Sequence, residues 1–371
     1  MVFVFNFCLN FERSDQIIFV MGMNNLFTLL RSALWNTAIQ EELDVQELES
    51  VLQEAEKQTV APLVFEAMER AKVTLPRNVV LRQMVLRQQA IQQNRKMNEE
   101  AVALATLLQE HDVDYVVVKG QVVATCYAHP ELRQAGDIDF YCDKENYGNA
   151  VEVLAKAWGI DFKDKTVFHE GFDHQGVSLE MHHTLVHFHS ARKDAYWTQL
   201  LRETPAATVV IGGQHIKTLC PTLHTLYVWL HLFNHLLELG VGLRQFCDWA
   251  MLLHHYRNEI DHEAIRQHLK RLGLEKAYRA CGCILTDELG LPAEAFTYRL
   301  TAADRRYARR ILDVVFYRGN MGKYNKRGGF HGWRHQLESV GIKTAHFVKF
   351  YPLAPSFMRS WLWDVVATRF F

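Results

Sequence analysis

Between about Asn25 and Glu110 the apolar residues recur at intervals of three and four, among good helix formers and with only two prolines, Pro62 and Pro76. This spacing predicts a run of helices. The last is long: Pro76 stands where a first-turn proline belongs, and Val79, Val80, Met84, Val85, Ala90 and Ile91 lead on through Ala101, Leu104 and Leu107 to a stop at His111 and Asp112. At Asp114 the period changes. Tyr115-Val116-Val117-Val118 is a short β-branched run that predicts a buried strand, ending in a turn at Lys119-Gly120. The following stretch reads as mixed: a short helix over 121–127, a strand over 137–142, a helix over 144–158 closed by Gly159, a strand over 176–182, and a hairpin over 209–219 turned by Gly212-Gly213. After Pro221 the stripe Leu223, Leu226, Tyr227, Leu230, Phe233, Leu236 and Leu237 restores the helical period.

These elements predict an α+β protein in which a mixed core, residues 112–219, lies between a helical region at 23–111 and a C-terminal helical domain at 220–317. Residues 1–22 stand apart. They are apolar but broken by Glu12, Arg13, Asp15 and Gln16, and they lack a basic leader and a small-residue cleavage site, so they read as a non-native or disordered extension with the natural start at Met21 or Met23. Residues 318–371 form a basic, aromatic tail with nine Lys or Arg against two acids. Lys323, Lys326 and Arg327 lie near Tyr324, Phe330 and Trp333, a patch that can follow a phosphate backbone, rest weakly on an anionic membrane surface, or simply be solvated. No run of about 18 uncharged apolar residues occurs, so no transmembrane helix is expected.

Composition narrows the class. Of 371 residues, 49% are hydrophobic and 22% charged, which excludes disordered and fibrous classes. Lys plus Arg (41) nearly cancels Asp plus Glu (42), so no global field draws the chain to nucleic acid or membrane. Seven scattered cysteines, an odd number set in apolar runs, fit buried thiols in a reducing, cytoplasmic setting better than a disulfide framework, and this includes the isolated pair Cys281 and Cys283.

Candidate chemistry concentrates in the mixed core. Alternation along a strand puts Asp137 and Asp139 on one face, with Ile138 and Phe140 turned to apolar packing. Two carboxylates held side by side repel unless a cation sits between them, and a hard divalent ion takes such oxygens. An exposed strand edge gives the same pattern. In the second strand Glu180 and His182 share a face while Leu179 and Met181 take the other, so if the strands pair, Glu180 completes a three-carboxylate cluster of the kind phosphoryl and nucleotidyl transfer requires. Arg133 can fork onto a phosphate or pair with a site carboxylate. His182 can orient a carboxylate or contact phosphate. In the helix after Pro221, His224, His231, His235 and Glu238 fall along one stripe; His231 and His235 are one turn apart, as metal ligands or as a polar groove wall. Arg244 and Asp248 have the spacing of a helix salt bridge.

Lys119-Gly120, then Arg133-x-x-x-Asp137-Ile138-Asp139, then Leu179-Glu180-x-His182, then Pro221 with its helical histidines, then Leu243-Arg244-x-Phe246-x-Asp248, in this order over roughly residues 25–300, resembles the uncharacterised nucleotidyltransferase family within the DNA polymerase beta-like nucleotidyltransferase superfamily. The resemblance implies a nucleotidyltransferase-type small mixed β-sheet core flanked by N-terminal and C-terminal helical regions. It further implies transfer of a nucleoside monophosphate from a nucleoside triphosphate, dependent on Mg²⁺ or Mn²⁺, to an acceptor that the family leaves open: protein, RNA or small molecule. Carried over by position, Asp137, Asp139 and Glu180 are the catalytic and metal-binding acids. Lys119, Gly120, Arg133, His182 and Arg244 are nucleotide-binding, with His231, His235 and Asp248 behind them. One position departs from the pattern: Lys119 puts a cation where the superfamily has a small residue. Two rivals stand beside this expectation, a metal phosphohydrolase centred on His182, His183, His231 and His235, and a non-catalytic nucleotidyltransferase-like binding module.

Overall fold

The computed structural model describes residues 13–40, 43–162, 164–165, 169–238, 240–319, 344 and 347–370. Lys323, Tyr324, Lys326, Arg327, Phe330 and Trp333, which carry the expected basic patch, lie outside the described residues, as do residues 1–12. The chain opens with helices α1 (Arg13–Trp35), α2 (Leu48–Lys57), α3 (Ala61–Arg70) and α4 (Arg77–Glu110). Pro76 caps α4, whose 34 residues run to His111. The central part follows as β1 (Val116–Val118), α5 (Gly120–Ala124), β2 (Ile138–Tyr141), α6 (Lys144–Trp158), β3 (Asp164–Lys165), β4 (His169–His174), β5 (Val177–His182), α7 (Ala191–Glu203), β6 (Ala207–Ile211) and β7 (Gln214–Thr218). Then come α8 (Pro221–Glu238), α9 (Leu243–His255), α10 (His262–Leu272), α11 (Glu275–Cys283) and α12 (Ala302–Arg318), with a final helix over Pro355–Phe370. No helix of the described residues is long and apolar enough to cross a membrane.

The fold is therefore α+β, with a small mixed sheet among helices. Its order is β1-β2-β5-β4-β3; β2 and β5 run parallel while every other neighbouring pair is antiparallel. A parallel pair needs a crossover, and α6 with the β3–β4 excursion supplies it. Local chemistry agrees with these elements. Asp143 caps α6 by accepting from the Glu145 and Asn146 amides, and Gly159 ends it at φ 66. Gly212 and Gly213, both at positive φ, turn the β6–β7 hairpin.

Two apolar cores lie on opposite faces of the sheet. Met97, Ala101, Leu104 and Leu108 of α4 and Ala150 and Leu154 of α6 pack with Val117, Ile138, Phe140, Leu179 and Met181 in one. The other joins the first helices to the last ones, so the two helical regions that bracket the sheet in sequence share one interior. Phe27 meets Phe316 edge to face, Trp35 Nε1 donates to the Leu289 carbonyl (2.7 Å), and Gln58 Nε2 donates to the Val315 carbonyl (3.2 Å). Strand alternation in β1 shows the sheet's place between them: Val117 belongs to the first core, Val116 and Val118 to the second.

Packing in the helical body is close enough to exclude a methyl group. A Cβ on Gly282 of α11 would lie 2.0 Å from the Phe296 ring, which stacks on Tyr278 at 5.2 Å between centroids. Gly282→Ala should therefore destabilise the chain by about 1–3 kcal/mol, read from the urea midpoint. An unchanged midpoint would show that the ring has room to move.

Candidate active site

The register of β2 on β5 pairs Asp139 with Glu180 and Tyr141 with His182. Because side chains alternate, Ile138, Phe140, Leu179 and Met181 enter the apolar core while Asp139, Glu180 and His182 share the opposite face. Asp139 is 2% exposed and His182 7%, whereas the Glu180 side chain is 31% exposed and marks the solvent side of the group. His182 Nε2 lies 2.8 Å from Asp139 Oδ1 and 3.4 Å from Glu180 Oε2. Each of these three residues offers an atom within 4.8 Å of the others, and they are the only such metal-capable group of three or more among the described residues. The third expected acid, Asp137, sits one residue ahead of β2; it is not a member of this trio but feels Asp139, Lys119 and Glu180 electrostatically.

Lys119 reaches into the same place. Its Nζ donates to Asp139 Oδ1 at 2.6 Å and stands 3.3–3.4 Å from the ring nitrogens of His231 and 5.9 Å from the Tyr227 ring centroid. The backbone that aims it is unusual. Lys119 has φ 53 and ψ −137, a region glycine adopts freely and other residues occupy at a cost on the order of 1–3 kcal/mol. His224 of α8 holds this turn: the Lys119 amide donates to its Nε2 (3.0 Å), which leaves the imidazole proton on Nδ1. Gly120 follows at φ 23, where a Cβ would come within 3.1 Å of the Asp137 carbonyl oxygen, so the turn and the acidic strand approach closely only with glycine.

Of the two readings open for Arg133, the structure shows the carboxylate partner, and that partner is Asp248 of α9. Arg133 Nε and Nη2 fork onto its two oxygens at 2.7 and 2.8 Å, and the Tyr127 hydroxyl donates to the same carboxylate at 2.8 Å. Asp248 is thereby taken, and the helix salt bridge expected between Arg244 and Asp248 gives way to a different contact: Arg244 Nη1 donates to the Gln134 carbonyl at 2.8 Å. Asn94 of α4 ties down the same segment, donating to the carbonyls of Glu131 (3.0 Å) and Arg133 (2.7 Å).

A family model described as uncharacterised nucleotidyltransferase matches residues 44–289, which span the sheet and every site residue above. The chain belongs to this family. Among solved structures, an antigenic nucleotidyltransferase-like protein from Paracoccidioides brasiliensis is similar at 15% identity over 56% of this chain and 96% of its own, with a TM-score of 0.31. None of the curated proteins compared matches.

Charge in this nucleotidyltransferase family member is distributed unevenly over the acids. The neighbouring Asp139 carboxylate, with burial next, pushes Asp137 up. Burial pushes Asp139 up as well, but Lys119 and His182 outweigh it and hold that carboxyl well below the usual range. The hydrogen bond to His182 pulls Glu180 down against the effect of burial. Burial also opposes charge on Lys119 and His182, yet Asp139 chiefly overcomes it in each, so both are raised. The α8 histidines go the other way. Burial carries His224 down to about 3 and His235 to about 4, and burial together with Lys119 takes His231 well below its ordinary value.

The structure thus brings Lys119, Asp137, Asp139, Glu180, His182 and His231 together. His235 stacks edge-on against His231 at 4.3 Å, while Arg133 and Asp248 form a buried pair beside them. The four-histidine arrangement does not form: His183, one residue past the end of β5, packs on Tyr147 at 5.0 Å. Tyr227 was not among the sequence candidates, although its place between His224 and His231 on the α8 stripe could have marked it. Asn94 and Gln58 were missed for a different reason: single buried amides on helices carry no periodic signal.

Arg133 and Asp248 are 4% and 6% exposed, so removing one partner leaves an uncompensated buried charge. Asp248→Ala should cost about 3–5 kcal/mol in chemical denaturation. A loss under about 1 kcal/mol would mean that Arg133 is held by something other than this pair.

Proposed function

We propose that this family member transfers a nucleotidyl group from a nucleoside triphosphate to a hydroxyl or amine of an acceptor, the acceptor bonding to the α-phosphorus as the α–β anhydride breaks and pyrophosphate leaves, with Mg²⁺ or Mn²⁺ as cofactor. The observation that carries the reading is the convergence of Asp139, Glu180 and His182 on one sheet face, with Asp137 beside them, in a chain of the nucleotidyltransferase family. The donor set suits a divalent ion: two ionised carboxylates, with an imidazole that joins once it gives up its Nε2 proton, and with the Glu180 side open to solvent. Asp139 and Glu180 would hold the ion with His182, and Asp137 would join from the adjoining turn. When bound, such an ion supplies charge to the phosphate oxygens and alignment for in-line displacement.

The chain's own groups divide the remaining work. Glu180, the more exposed of the trio's two acids, can take a proton from the acceptor where it is not engaged as a ligand. Arg244 keeps a buried Nε–H without a hydrogen-bond partner, and so does Nη1 of Arg133, which leaves donors for a phosphate next to Asp137. Neutral His231 and His235 add no positive charge that would compete for the acids. The cytoplasm suits this chemistry, and the free thiols of Cys126, Cys142, Cys220, Cys247, Cys281 and Cys283 agree with a reducing compartment.

Incubating the protein with α-labelled nucleoside triphosphates, Mg²⁺ or Mn²⁺ and cell extract should label an acceptor, and mass spectrometry of the product names it as protein, RNA or small molecule. Asp139→Asn should reduce labelling by about 100-fold or more with an unchanged circular dichroism spectrum. Labelling near the wild-type level in that variant would refute the assignment. A second reading, a nucleotidyltransferase-like binding module, draws support from the ammonium already seated on Asp139. It requires that calorimetry with the four ribonucleotides detect no Mg²⁺-dependent binding.

A further inference from the structure

The acidic centre contains a cation of its own. Lys119 Nζ sits on Asp139 Oδ1 at 2.6 Å, within a group whose other carboxylates, Glu180 and Asp137, face the same spot. It is not a long side chain that has drifted in from the surface. Its backbone is held in a conformation that disfavours any residue but glycine, the His224 imidazole fixes that turn through the amide, and its side chain is only 14% exposed between Asp139, His231 and Tyr227. A position where glycine would fit without strain has been given to a lysine, and β2 and α8 are both arranged around it.

We propose that Lys119 is a resident cation of the acidic centre, supplying the positive charge that a second divalent ion would otherwise bring, so that the centre takes one divalent ion per chain. The inference rests on the metal-dependent reading above and deepens it. Two ions clamping one site need carboxylate oxygens shared between them, and here one oxygen of Asp139 already receives both Lys119 Nζ and His182 Nε2. An ammonium at that oxygen repels a second ion at short range, while the partly exposed Glu180 carboxylate offers a first one its approach. Lys119 would also keep the acids compensated before any ion arrives, so the fold would not depend on metal.

Titration of the metal-free protein with Mn²⁺, followed by the electron paramagnetic resonance of the free ion, counts the sites without any turnover. The wild type should bind one Mn²⁺ per chain, and after stripping with EDTA it should keep its circular dichroism spectrum and a cooperative melt. Lys119→Met should bind two. Lys119→Gly, which relieves the positive φ and removes the ammonium, should also bind two, and it guards against a folding defect in the methionine variant. Circular dichroism of each variant confirms the fold. Two ions on the wild type, or one ion of unchanged affinity on both variants, would overturn the proposal and leave the metal-dependent reading standing. No bound Mn²⁺ in any of the three proteins would overturn both.

Discussion

Holding several carboxylates at one spot between two apolar cores is the constraint on which the rest of the structure depends. The register of β2 on β5 sets Asp139 directly beside Glu180, and Asp137 adds a third acid a short step away. Burial denies them the water that would ordinarily screen such a group. Compensation therefore has to come from the protein, and it does so asymmetrically. Asp139, the most enclosed, receives Lys119 and His182 and stays ionised, while Asp137 is pushed up by its neighbour.

The same constraint explains why the helical body is built around polar fixings as well as apolar packing. The segment that delivers Asp137 into β2 is anchored from three sides: Arg133 forks onto Asp248 of α9, Tyr127 donates to the same carboxylate, and Asn94 of α4 takes the backbone carbonyls. Gln58 reaches across from the end of α2, accepting the Leu243 amide and donating to the Val315 carbonyl. These contacts join stretches far apart in sequence, so the helices before and after the sheet are fixed to each other as well as to it. A buried ion pair of this type adds little net stability over an apolar pair but penalises any arrangement that separates it, which suits a site whose acids must keep their positions.

Much of this was legible in the sequence wherever a periodic pattern carried it. The change from a helical period located β1, β2 and β5, and strand alternation put Glu180 and His182 on one face of β5, which the pairing of β2 with β5 joins to Asp139. The α8 stripe placed His231 and His235 as neighbours, and put His224 on the same helix two turns earlier. What escaped was set by partners rather than by pattern. β4, His169–His174, has charged and polar residues at nearly every position and exists because β5 offers it a ladder to pair with. Arg133 and Arg244 were readable as cations near the acids, but which carboxylate or carbonyl each would take depended on how α9 lies against the 130–136 segment, a tertiary fact with no local trace. The side chain of Lys119 pointed to the right neighbourhood; that it would end on Asp139, across a strained turn, was not visible.

That turn shows which of two costs the fold accepts. A lysine at φ 53 carries strain on the order of 1–3 kcal/mol that a glycine would avoid. Leaving it out would set Asp139 and Glu180, with oxygens within 4.8 Å of each other, against one another and against Asp137. At an effective dielectric near 20, one such pair of unit charges repels by about 3–4 kcal/mol, and there are several pairs. His182 alone cannot cancel them, since its single Nε2 proton is already divided between Asp139 and Glu180. Repulsion among the acids therefore works against the strain of the turn and against the burial of the ammonium, both of which oppose Lys119 at this place. Burial first, and then the same balance, keep His231 of α8 neutral: with Lys119 3.3 Å away and Asp139 already engaged, a positive charge on this ring would meet repulsion from the lysine.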